Sequence, residues 1–161
     1  MSSSFDPRNL VKSTIGTSKA INPDSWDEQY VLTITADGDT YDIPIYLAEE
    51  SSSLDEPPFP FIDINLMTVS YEPHDVGATT RKHEAFLDIG FWFTANDNYS
   101  PATFGKAVID ELIDKVRSNQ EVCGFGNDHF VNVRSVRLLR EGSGKQVIYH
   151  YVVEIYLIYY D

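Results

Sequence analysis

Cysteine is nearly absent: the 161-residue chain holds one, Cys123. A single thiol closes no internal disulfide, so the compartment is expected to be reducing or its redox state irrelevant. With no base at a matching spacing, Cys123 reads as a small buried hydrophobe rather than a nucleophile. Positive charge is scarce too. Six lysines and six arginines stand against 25 acidic residues, for a net charge of −13. That balance excludes a nonspecific nucleic-acid binder, which needs a basic face, and docking on an anionic membrane. It leaves two readings: plain solubility, or a salty, halophilic host whose ions screen the self-repulsion. Long apolar runs are missing. None approaches the roughly 18 residues of a membrane-spanning helix. The polar start, Met1-Ser2-Ser3-Ser4, has no apolar stretch of a signal peptide. No repeat of fixed period is visible.

Apolar and aromatic residues are what the chain has in plenty. Hydrophobic types make up 42% and aromatics 13%, which a disordered chain does not carry. The length suits one domain, residues 1–161, with a real core. Its expected parts are an N-terminal helix and hairpin over 1–48, a linker loop over 49–60, and a sheet–helix–hairpin core over 61–161.

Asp6-Pro7 has the form of an N-cap followed by a first-turn proline, and Leu10, Val11 and Ile15 give one apolar stripe ending at Gly16. Residues 17–28 are polar and irregular, with Trp26 as a packing plug. Segments 29–35 and 40–47 are alternating and β-branched, and Asp37-Gly38 between them is a favoured pair for a tight hairpin turn. Pro44 cannot donate to a ladder, so it predicts an edge or a bulge there. The run 49–60 is rich in Ser, Pro and acid and predicts a surface loop.

Segment 61–71 alternates, with Phe61, Asp63, Asn65, Met67 and Val69 on one side and Ile62, Ile64, Leu66, Thr68 and Ser70 on the other. A polar excursion at 72–80 is long enough to have a task, and the chain returns along 81–94. There Leu87, Ile89, Phe91 and Phe93 form the clean apolar side. Trp92 sits on the other. Ser100-Pro101 opens the strongest helix, 101–117, striped by Phe104, Val108, Leu112 and Val116 and widened by Ile109 and Ile113. Strands 130–140 and 146–159 close the chain around a flexible loop. The last strand is apolar on both faces, so both need cover: the helix on one, a second sheet layer or a neighbouring chain on the other. The expected fold class is α+β, a mostly antiparallel sheet with one main amphipathic helix packed on it.

No catalytic, cofactor-binding or metal-ligating constellation emerges, so no enzyme is expected. His74, His83, His129 and His150 lack zinc-site spacing. Asp37, Asp39 and Asp42 lack the closing glutamate of a calcium loop. The serines at 51–53 have no glycine-flanked elbow, and Gly124-Phe125-Gly126 precedes no helix. Arg134, Arg137 and Arg140 do stand out in so acidic a chain. Strict alternation puts Arg134 and Arg140 on one face and Arg137 on the other. They pair either with acids of the same subunit or with an acidic neighbour.

The order of elements resembles the tail terminator and head–tail joining proteins of tailed viruses. The likeness runs over about residues 55–161. It is carried by Pro57-Pro58-Phe59-Pro60-Phe61-Ile62 leading into a strand and by Phe86-Leu87-Asp88-Ile89-Gly90-Phe91-Trp92. The helix at 103–116 and the closing strand with Val152-Val153-Glu154-Ile155 complete it. The hairpin at 29–47 is an addition to the shortest members. The resemblance implies a homo-oligomeric ring, usually a hexamer, in the tail and neck region of a virion, with a haloarchaeal virus as one candidate source. It would meet other neck and tail-tube proteins and let DNA through an acidic lumen. On this reading Arg134, Arg137, Arg140, Trp92 and Tyr156 belong to the subunit interface, and Glu72, His74, Asp75 and Arg81 to an axial contact loop. A neck adaptor or stopper is the alternative within the class. A small ligand- or peptide-binding module using the loop in the 120s is the alternative outside it.

Overall fold

The computed structural model describes residues 6–20, 28–52, 59–73, 81–94, 100–118, 130–141 and 147–160. Helix α1, Pro7–Ile15, begins where its residue types require. The Asp6 side chain accepts from the Arg8 backbone N–H at 2.9 Å and satisfies a donor that the first turn leaves over. The Arg8 guanidinium then clamps two carboxylates, Asp6 and Glu49. Leu10, Val11 and Ile15 turn inward, as their spacing predicts.

The chain continues into β1 (Thr17–Ala20), β2 (Glu28–Ala36) and β3 (Asp39–Leu47). The β2–β3 turn places Asp37 at φ 53° and Gly38 at φ 84°. Both angles are left-handed, and aspartate and glycine are among the residues that tolerate them best. The four-residue strand β1 pairs with β2 in a stretch whose sequence reads as irregular. Trp26 lies outside the described residues. The expected loop at 49–60 is corrected at its start: Ala48–Ser52 is a short helix, α2. Glu50 accepts from the Leu47 N–H at 3.2 Å, and Glu49 is held by Arg8. Tertiary anchoring from α1 thus overrides a loop-like composition.

Strands β4 (Phe61–Pro73) and β5 (Arg81–Thr94) form the long hairpin. Helix α3 is Pro101–Ser118, and β6 (Phe130–Glu141) and β7 (Ile148–Tyr160) close the fold. The single sheet has the order β1-β2-β3-β4-β5-β7-β6. Among the described residues every pairing is antiparallel except β3 with β4, which is parallel and only three residues long, from Ile45 to Leu47. That ladder starts at the residue after Pro44. The proline therefore sits where β3 has no β4 partner, which suits a residue with no N–H.

This is an α+β fold in which α1 and α3 cover one face of a mostly antiparallel sheet. The core between them is continuous. Phe104 of α3 meets Tyr41, Phe91 and Phe93, with ring centroids 5.3, 5.7 and 5.6 Å away. Val153, Ile155 and Leu157 of β7 are fully buried beneath the helices. The other face of the sheet has no second layer among the described residues.

Two irregularities shape that bare face. The β4–β5 register slips between Leu66 and Thr68, and the β6–β7 register slips between Val133 and Ser135. Each marks a bulge with one extra residue, Met67 or Arg134. The first corrects the simple alternation read from 61–71. Beyond Met67 it is Val69 that packs on the core, while Thr68 and Ser70 are exposed.

Candidate interaction surface

The bare face is built from cross-strand rows of β4, β5, β7 and β6. Phe61, Trp92, His150 and Leu139 share one row. Next come Asp63, Gly90, Val152 and Arg137, then Asn65, Asp88, Glu154 and Ser135, then Thr68, Phe86 and Tyr156. Phe61, Gly90 and Val152 are buried within these rows, and the remaining side chains are what anything docking from this side would meet.

Gly90 is the low point. A methyl group there would collide with Asp63 Oδ1 and lie 3.0 Å from Trp92 Nε1 and 3.1 Å from His150 Nε2. The missing side chain lets a carboxylate, an indole and an imidazole converge in a cavity of about 180 Å³, also lined by Asn65 and Asp88. The Trp92 ring stacks on His150 at 3.5 Å and on Phe61 at 6.2 Å. Burial pushes the Asp63 carboxyl up from the ordinary carboxylate range, against the opposing pull of the Trp92 indole and the Gly90 N–H. The buried Trp92 Nε1 is near enough to favour the ionised carboxyl, yet it closes no hydrogen bond of normal geometry.

The next rows carry charge. Asp88 faces Glu154 directly across the β5–β7 ladder. Burial and then this like charge raise Asp88, while Arg137 pulls it down. Arg134 reaches Glu154 at 3.4 Å and lies over the Phe86 ring at 5.2 Å. Phe86 in turn packs on Tyr156 at 5.0 Å. Met67, Thr68, Phe86, Asp88, Arg134, Arg137 and Glu154 line a shallow groove that shares Asp88 with the Gly90 cavity.

The expected grouping of the arginines is corrected here. Arg134 and Arg137 both line the groove on the bare face, whereas Arg140 lies over Tyr149, 5.9 Å from its ring centre, on the helix side. Strict alternation fails because the bulge at Arg134 adds one residue and reverses the sidedness of what precedes it. Trp92 and Tyr156 do share the bare face, three rows apart. Glu72 and Arg81 end the β4–β5 hairpin, where Glu72 pairs with Lys82 and Pro73 with Arg81 along the backbone. His74 and Asp75 lie outside the described residues, as do Cys123, His129 and the loop in the 120s.

Strand β6 ends the sheet. Among the described residues nothing pairs with its outer side, and Val136, Leu138 and Leu139 are 40%, 53% and 43% exposed. An edge twelve residues long with three exposed aliphatics is a template for another chain. Sequence alone singles out the arginines of this strand but not the leucines between them. Nor does it single out Asp63, Gly90 and His150 as a group. A glycine inside an apolar strand is the one local signal of that group, since it marks close approach by something else.

No protein-family model matches the chain, and no curated protein sequence matches it.

Proposed function

We propose that this protein is a structural subunit of a ring at the head–tail junction of a tailed virus, acting as the tail terminator that caps the tail tube and joins it to the neck. The observation that carries this reading is the sheet's unfinished state. One face has no covering layer among the described residues, and the sheet ends on a long edge with Val136, Leu138 and Leu139 in water. Exposed apolar area of this kind marks association surfaces. The order of elements supplies the particular assembly. The net charge of −13 suits a lumen through which DNA slides without adhering.

Negative-stain microscopy and light scattering of the purified protein test the reading. Closed rings are expected, and a strict monomer at high concentration in both low and high salt overturns it. Binding of those rings to the ends of tail tubes identifies the terminator; binding on the portal side identifies an adaptor or stopper. A small-ligand module is less well served by the surface. The cavity at Gly90 is small, about 180 Å³, and the groove beside it, about 360 Å³, is shallow and lined mainly by charged side chains rather than enclosed by apolar ones.

A further inference from the structure

We infer that neighbouring copies join head to tail, the arginine-bearing β6 edge of one against the acidic β2–β3 hairpin of the next. The inference rests on the ring assembly proposed above and names the surfaces that form it. Strand β6 stands at one end of the sheet, and the β2–β3 hairpin belongs to the other, next to β1. The two ends carry opposite charge. From Val133 to Arg140 every charged side chain on β6 is an arginine, and Arg134, Arg137 and Arg140 are all exposed. At the far end the exposed charges of the hairpin are Asp37, Asp39 and Asp42, of which Asp42 is shared with Lys19 at 2.9 Å.

Strand β3 meets β4 only from Ile45 onward, so no described strand pairs with Asp39, Thr40, Asp42 or Ile43 on that side. The same charges argue against the simplest alternative, β6 pairing with β6 of a second copy. An antiparallel pair centred on Arg137 sets Arg137 opposite itself and Arg134 opposite Arg140, which like-charge repulsion disfavours. A surface that repels its own copy and attracts the opposite end of the next one is heterologous. Such contacts close into rings or run on as filaments, whereas self-complementary contacts stop at dimers. The apolar residues between the arginines supply the area, and the charges supply direction and register.

The test is a charge swap read by light scattering and microscopy. Arg137→Glu with Arg140→Glu removes the basic side of the contact. Asp39→Lys with Asp37→Asn removes the acidic side, with asparagine chosen because it tolerates the left-handed backbone at that turn. Each pair of substitutions is expected to leave a folded chain by circular dichroism and to reduce assembly at least tenfold. A chain carrying all four is expected to assemble again. If the wild type forms rings and the first pair leaves them unchanged, the lateral contact is elsewhere while the ring reading stands. If both pairs disrupt assembly and the fourfold chain fails to recover it, the two surfaces do not meet. If the wild type never assembles, both readings fall together.

Discussion

Asp63 is held where an ionised carboxylate is poorly served. Its folded-state pKa is raised, so the sign of its contribution is the reverse of the usual acidic residue. Well below pH 4 both folded and unfolded chains are protonated there, and no penalty exists. As pH rises the unfolded chain ionises first, and stability falls until the folded carboxyl has ionised as well. The penalty is therefore felt at neutral pH and absent in acid. Asp63→Asn is expected to raise the melting midpoint at pH 7. The gain should vanish on acidification to about pH 3, and equal midpoints at pH 7 would count against the account. Asp63 and His150 are far from Gly90 in sequence, and only the register of β4, β5 and β7 brings them over it. A lone sequence shows the hole but not what fills it.

Helix α3 crosses the sheet closely at Gly105. A methyl group there would sit 2.7 Å from a Tyr151 ring carbon and 3.2 Å from the Phe93 ring. Intrinsic helix preference favours alanine over glycine by about 1 kcal/mol. Overpacking of a filled core costs about 1–3 kcal/mol, and both the Tyr151 and Phe93 rings would have to shift to admit the methyl group. Gly105→Ala is therefore expected to destabilise the protein in urea titrations; stabilisation would show that the helix can lift away. Elements of this kind are the legible ones. The stripe of Phe104, Val108, Leu112 and Val116, the Asp37-Gly38 turn and the Asp6-Pro7 start are all local signals, and all form where they point. What escapes depends on distant partners. Strand β1 exists because β2 offers it an edge, α2 is anchored by an arginine from α1, and the faces of the arginines depend on a bulge visible only once β6 lies beside β7.

For the molecule as a whole, charge is what the fold leaves unbalanced. Twelve lysines and arginines cannot neutralise 25 acids, so the surplus carboxylates repel one another through solvent. Raising salt from about 0.01 to about 1 M shortens the screening length from about 30 to about 3 Å. The melting midpoint of the single subunit is expected to rise over that range. A fall would show that the attractive pairs, such as Arg8 with Asp6 and Glu49, outweigh the repulsion. If copies join through the unlike edges inferred above, the same titration on the assembly should read the opposite balance, because such contacts weaken as they are screened.

Met67 and Arg134 are surplus residues in the outer two of four adjacent strands, on either side of the row that holds Leu87 and Ile155. A plate whose margins are longer than its middle cannot lie flat; it warps into a saddle, and whatever seats against it must follow the warp. Removing the two extra residues would let the plate flatten.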